Sequence, residues 1–270
     1  MRLVDVDAGT EGTFLRCLHD EAPDDPRVIR LRRRWYETHR ARGLRSKVLI
    51  LDGGEVVGLC QYMPIEHTHF VGHDLLAILC IWVHGYGHHV GNRQGSGYGR
   101  HILESIEADA RASRATGVVG WGMDFPYWNP VSFYEHMGYS RVDKAGMAVL
   151  VWKPFVGTAS PPTFLRQVRH PALCPEKVSV AVFVNGWCTA ACYQCLTARE
   201  AVAGLEEIVD YLEVDTSDPE VRRSWGISVG LLVEGKPHRQ YEPPCTSEVL
   251  RSDILELARQ KGVGRDHTAS

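Results

Sequence analysis

The stretch that most constrains this chain is Asn92-Arg93-Gln94-Gly95-Ser96-Gly97-Tyr98-Gly99-Arg100. An apolar run from Asp74 to Val83 stands in front of it. Behind it, Ile102, Leu103, Ile106 and Ala110 recur at helical spacing, with Glu104, Glu107 and Asp109 facing elsewhere. That order is a strand, a glycine-rich turn and an amphipathic helix. Glycines at 95, 97 and 99 remove Cβ atoms, so backbone N–H groups can close on an anion at the positive end of the helix. A phosphate-bearing ligand is the expectation; a plain flexible connection is the alternative that three glycines leave open.

Two well-known phosphate loops do not fit. No Gly-Lys-Ser/Thr ending marks a nucleoside-triphosphate loop, and Gly95, Gly97 and Gly99 have the wrong spacing for a dinucleotide fingerprint. Gln94-x-x-Gly97-x-Gly99 instead resembles motif A of the GNAT acetyltransferases. Asn129-Pro-Val-Ser-Phe-Tyr-Glu-His-Met-Gly-Tyr139 resembles their motif B. Gly117–Met123 between the motifs reads as the next parallel strand, and Met147–Trp152 after them as a closing strand.

The resemblance covers roughly residues 1 to 155 and implies a GNAT fold, a mixed central sheet flanked by helices, with acetyl-CoA as cofactor. It places the pyrophosphate on Gln94, Gly95, Ser96, Gly97, Tyr98, Gly99 and Arg100, and the thioester beside Ile81, Trp82 and Val83. Asn129, Phe133 and Tyr134 follow from motif B, with Tyr134 as general acid to the leaving thiolate. A phenol suits that task because its pKa of roughly 10 is close to that of a thiol. Glu66, His84 and Asp124 flank the core strands and are the candidates for the base; a water chain is the alternative. The acceptor implied is the amine of a small molecule, with protein or peptide acetylation as a further possibility.

Other segments fill in around these motifs. Lys47–Leu51, Asp52-Gly53-Gly54 and Glu55–Tyr62 read as a strand–turn–strand hairpin. Arginines at 30, 32, 33, 34, 40, 42 and 45 suggest RNA at first sight. Val28, Leu31 and Trp35, however, give that stretch the inward face of a solvated helix, and a net charge of −3 supplies no case for nucleic acid. His84 to Asn92 reads as an insertion before the cofactor loop. Its histidines, with His67, His69 and His73, raise a metal site as one option, but their spacing matches no zinc pattern, and a mobile flap over the cofactor is the expectation. Phe125-Pro126-Tyr127-Trp128 either shapes an apolar acceptor pocket or packs a loop. The first residues are too acidic for a signal peptide and no window is long and apolar enough to span a bilayer, so a cytoplasmic protein without membrane contact is expected.

At 270 residues the chain suggests two domains. The sequence divides into 1–155, a linker over 156–176, a smaller α/β domain over 177–262 and a tail over 263–270. In the smaller domain the order is strand (Val178–Val184), helix, strand (Tyr211–Asp215), short helix, hairpin (Ile227–Val233 with His238–Tyr241) and helix (Ser247–Lys261). This order resembles a thioredoxin-like fold, and the two halves together resemble the YoaP-like group of bacterial proteins. Cys188, Cys192 and Cys195 lie where such a fold keeps its redox centre, but Cys192 comes one residue late and the usual proline is missing at Ser228-Val229. A thiol at a helix start is expected to have a lowered pKa and to react or bind a soft metal, with a structural or vestigial role for the three cysteines as the reading set before it. The competing function is therefore a thiol-based sensor or soft-metal protein using these three cysteines, whose GNAT half only binds acyl-CoA. A homodimer is left open.

Overall fold

The computed structural model describes residues 1–18, 24–126, 128–238 and 245–263. The chain divides into two compact units, Met1–Ala22 with Tyr36–Leu165, and Pro23–Trp35 with Arg166–Ser270. Its elements in order are β1 (Arg2–Asp5), α1 (Glu11–Arg16), α2 (Pro26–Arg40), β2 (Arg45–Ile50), β3 (Val56–Pro64), β4 (Phe70–Val71), β5 (Leu75–Val83), α3 (Tyr98–Ala112), β6 (Gly117–Met123), α4 (Val131–His136), β7 (Ser140–Ala145), β8 (Ala148–Pro154) and β9 (Thr163–Phe164). There follow β10 (Val178–Val184), α5 (Thr189–Val202), β11 (Val209–Asp215), α6 (Pro219–Trp225), β12 (Gly230–Val233), β13 (Lys236–Pro237) and α7 (Ser247–Lys261).

The first unit is an α/β unit with a seven-stranded mixed sheet ordered β1-β2-β3-β5-β6-β8-β7. Every neighbouring pair is antiparallel except β5 and β6. Strand residues alternate between faces, and two apolar clusters result. Leu76, Ile78, Ile81 and Val118 pack under Ile102, Leu103 and Ile106 of α3 and Tyr134 of α4. Leu75, Ala77, Val119 and Leu150 lie on the opposite face with Phe70 and the half-buried Trp121 and Trp152. The stretch expected to be linker contributes β9, which pairs with β4.

Polar contacts fix α3 on its face of the sheet. Lys47 Nζ donates to Asp109 Oδ2 at 2.6 Å and Ser105 Oγ at 2.8 Å, and the Tyr62 hydroxyl also donates to Asp109. Lys153 Nζ donates to Glu107 at 2.9 Å and to the Met137 carbonyl at 3.1 Å, tying α3 to the end of α4. Burial disfavours the charge on Asp109, but the bonds from Lys47 and Tyr62 outweigh it and hold the carboxyl below its usual value. The helix carrying the glycine-rich turn is thus anchored through its middle.

The second unit has a four-stranded sheet, β11-β10-β12-β13, with β10 and β11 parallel and the other pairs antiparallel. Cys195, Ala198 and Ala201 of α5 and Leu250, Ile254 and Ala258 of α7 pack on one face of β10. Val221 and Trp225 of α6 pack with Phe183 and Val214 of the other face. Asp218 caps α6, accepting from the Glu220 and Val221 amides, with Pro219 in the first turn and Gly226 closing in the left-handed region. Residues Pro26–Trp35 of α2 count with this unit, where Val28 packs with Cys192 and Leu196. Arg239, Gln240 and Tyr241 of the expected hairpin, Tyr127 and the tail from 264 lie outside the described residues.

Candidate active site

The site begins where the sheet opens. β5 and β6 pair only over Leu75–Ala77 and Gly117–Val119, and beyond Ala77 and Val119 they separate. A bulge on β5 marks the point: Tyr62 pairs with Ile78 and Gln61 with Cys80, leaving Leu79 as the extra residue. The His84 amide donates to Val57 on β3. By alternation along the strand, Ile81 and Val83 turn their amides toward the open side. Two side chains reach into that opening. Trp121 Nε1 donates to the Leu79 carbonyl at 3.0 Å, and Gln94 Nε2 donates to the Val83 carbonyl at 3.3 Å.

The glycine-rich turn lies at the C-terminal end of the same strand. Gly95 and Gly97 have φ of 78° and 80°, in the left-handed region, and a Cβ on either would meet nothing within 4 Å. The glycines are there for the backbone conformation, and the space over them is open. Gly97 caps α3 without a side-chain hydrogen bond, and the first turn of the 15-residue helix carries no acidic residue. Its amide groups and dipole therefore favour an anion, with Ser96 and Arg100 exposed beside them. Gly99 has another role. A Cβ there would lie 3.2 Å from the Phe133 ring, so this glycine lets α3 and α4 approach.

Motif B contributes packing and one poised phenol. A Cβ on Gly120 would sit 2.8 Å from the Tyr134 ring, and one on Gly122 would sit 2.8 Å from the Val131 backbone. Alternate glycines in β6 thus let α4 lie directly on the strand, a signal that the sequence carried and the motif reading passed over. Gly120 is one residue past the last β5–β6 pair, and the Tyr134 hydroxyl is 3.3 Å from its Cβ position, so the phenol stands at the opening. Tyr134 is otherwise buried against Phe133 and Tyr139. Burial, and secondarily the thiols of Cys80 and Cys60, pushes its pKa well above the usual phenol value, so it stays protonated while so buried and loses the close match to a thiol that a free phenol has. Asn129 Nδ2 donates to the Trp121 carbonyl, which fixes the loop to β6.

The candidates for a base are placed away from the opening or already engaged. Glu66 accepts from the Asp74 amide at 2.8 Å at the paired end of β5, roughly 16 Å along the strand from Leu79. Asp124 is bound by Lys144 and Arg141, each at 3.0 Å, and these bonds hold its carboxyl below the usual value. A carboxylate so held is a poor proton acceptor. His84 is buried, with Nδ1 at 2.9 Å from the Gly91 carbonyl. The segment read as a mobile flap is folded on itself: the Arg93 amide donates to His84, the Gly91 amide to His88, and Arg93 Nε to Val90. Tyr86, His88 and His89 stack around His84, with ring centroids 5.0 to 6.3 Å apart. Among the described residues no three His, Cys, Asp or Glu side chains are gathered so as to hold a metal.

The cysteines of the second unit depart from expectation. Cys192 and Cys195 are buried, and desolvation pushes each thiol up to about 12, not down. The reason is the face they occupy: both point into apolar clusters, where a thiolate has no solvation. Cys188, at the N-cap of α5, is half-exposed. Iodoacetamide at pH 8 on the native protein is expected to leave Cys192 and Cys195 unmodified, with both labelled after unfolding. Peptide mass spectrometry checks this, and rapid native labelling of either would contradict their burial.

No family model matches the chain. It is similar to YoaP, an uncharacterized N-acetyltransferase of Bacillus subtilis (strain 168), at 26% identity over 168 residues, or 57% of this chain and 59% of that protein. The match thus covers less than two thirds of the relative's own length. Solved structures similar to the chain include a ribosomal-protein-alanine N-acetyltransferase from Brucella melitensis, at 16% identity and a TM-score of 0.44, over 57% of this chain and 100% of that one. Another is the PaiA N-acetyltransferase from Thermoplasma acidophilum in complex with coenzyme A, at 11% identity and a TM-score of 0.42, over 57% and 98%. No helix among the described residues is long and apolar enough to cross a membrane.

Proposed function

We propose that the first unit is an acetyl-CoA-dependent N-acetyltransferase that acetylates the amine of a small molecule. The observation that carries the reading is one continuous unit: a parallel strand pair that opens after three residues, followed by a glycine turn with an open N-terminal helix end. Similarity to an N-acetyltransferase over 57% of the chain supports it. Coenzyme A suits this geometry. Its pyrophosphate would sit on the amides from Gly95 to Gly99, beside Ser96, Tyr98 and Arg100. Its extended arm would run into the opening along Ile81, Trp82 and Val83, where the outward amides of Ile81 and Val83 offer hydrogen bonds that a missing strand would otherwise make.

In this reading bound acetyl-CoA would supply a thioester in the opening for direct transfer to the acceptor amine. A backbone N–H of the free β5 edge would be placed to stabilise the oxyanion, and Tyr134 to give a proton to the sulfur. With Asp124 neutralised by cations and Glu66 remote, the amine loses its proton to water. Gln94 and Asn129, assigned to the cofactor by motif, act here by shaping the loop, while Phe133 seats α3.

The second unit is read as thioredoxin-like, supported by its β10-α5-β11-α6-β12-β13-α7 order and by a central β10 parallel to β11 and antiparallel to β12. Its buried thiols speak against the sensor alternative, so it serves access to the acceptor or assembly. Cytoplasmic residence and a homodimer belong to the same proposal. The test is calorimetric titration of acetyl-CoA into the reduced protein, before and after thiol blocking. Micromolar binding that survives blocking is expected; no binding in either state would remove the acetyltransferase reading.

A further inference from the structure

Resting on the acetyltransferase reading, we propose that Trp121 and Trp128 form a platform that selects an arylalkylamine as acceptor. The two indoles lie with centroids 5.7 Å apart and planes tilted by 59°. Trp121 spans the opening itself, since its Nε1 holds the Leu79 carbonyl at the bulge. Trp121 packs with Val119 and Leu150, on the sheet face opposite α3. A donor entering from the glycine turn and an acceptor resting on the indoles therefore meet across the sheet. Trp128 is 38% exposed, a large apolar surface at that spot.

The tilt makes a corner in which a planar ring can stack on one indole and meet the edge of the other, arrangements that aromatic pairs favour. The neighbouring carboxylates argue against a polyamine. Asp124 is held by Arg141 and Lys144, and Glu135 by Arg141. Asp143 accepts from the Lys144 and Phe164 amides. A polycation would have to compete with Arg141 and Lys144 for Asp124 and Glu135, whereas an aromatic ring needs no counter-charge. The same logic orients the acceptor. An ammonium held over an indole face would be stabilised in its unreactive protonated form, so the ring takes the platform and the amine points into the opening.

The test first confirms acetyl-CoA binding by calorimetry, then measures acetylation of tryptamine, tyramine, n-hexylamine and spermidine by mass spectrometry of the products. The two aryl amines are expected to exceed hexylamine and spermidine by ~10-fold or more in kcat/KM. Trp128→Ala should raise KM for tryptamine by about 10-fold with kcat and acetyl-CoA affinity little changed, and Trp128→Phe should restore most of the loss. Acetyl-CoA binding combined with equal use of all four amines, with a preference for spermidine, or with no aryl amine accepted would overturn the platform. Absence of acetyl-CoA binding would instead overturn the acetyltransferase reading, and the platform with it.

Discussion

Replacing Gly97 by glutamate is expected to reduce acetyl-CoA affinity by at least ~30-fold, the sum of two costs. Gly97 has φ of 80°, and an L-residue held there loses roughly 1–2 kcal/mol. The new carboxylate would also project into the space over the helix end where the pyrophosphate is placed. Two like charges at about 4 Å repel by between 1 and 4 kcal/mol near a protein surface. Gly97→Ala separates the two effects, because a methyl group meets nothing within 4 Å and carries only the backbone cost; a loss of about 30-fold or less, and smaller than that of the glutamate variant, is expected for it. Titration calorimetry on both variants, with circular dichroism to confirm folding, checks the ordering. Wild-type affinity in the glutamate variant would move the cofactor away from this turn.

How far the sequence announced this site depends on the kind of signal each residue leaves. Gly95 and Gly97 were readable because a left-handed backbone excludes most other residues and so writes itself into composition. The strand on one side was readable from its apolar run and the amphipathic α3 on the other from its helical period. The opening itself was not. It depends on where β5 and β6 cease to pair, and pairing is a property of two distant segments. The bulge at Leu79 and the Trp121 bond that holds it share that non-local origin. Helix α2 shows a different limit. Its pattern announced a buried face, and Val28 and Trp35 are buried, but no pattern says which segments will cover them.

The cysteines of α5 left two readings open in the sequence, structural and reactive, and burial of Cys192 and Cys195 fits the structural one. Cys192, Cys195, Ala198 and Ala201 recur every three residues, the spacing of one helix face, which is an apolar stripe before it is a redox motif. Proximity to the helix start favours a thiolate, but only for a thiol that reaches water or a cation. Both thiols are buried instead, and desolvation wins by raising them to about 12. The same competition decided Asp109 the other way, where hydrogen bonds from Lys47 and Tyr62 outweigh burial. Partners, and not position along an element, set the charge state in each case.

Tyr134 brings these arguments to the reaction. Tyr134→Phe is expected to lower kcat by ~100-fold, the lower end of what a positioned proton donor contributes, since water can partly replace the phenol. Acetyl-CoA affinity should stay within about 2-fold, because a proton delivered to the leaving sulfur is needed only as the thioester breaks. Thermal stability should hardly change, as the ring keeps its contacts with Phe133, Tyr139 and Gly120. The fall in kcat separates this role from simple packing, and the pH profile reports whether the phenol stays buried when it acts. Burial raises the phenol's pKa, so the acid form persists through the alkaline range and Tyr134 should impose no fall in wild-type kcat up to about pH 10. The variant should therefore show a lowered profile of unchanged shape. A wild-type profile that falls between pH 8 and 9, with that limb absent in the variant, would mean that the phenol titrates there and is solvated in the complex. Unchanged kcat in the variant would leave Tyr134 as an aromatic wall of α4 and return protonation of the sulfur to water.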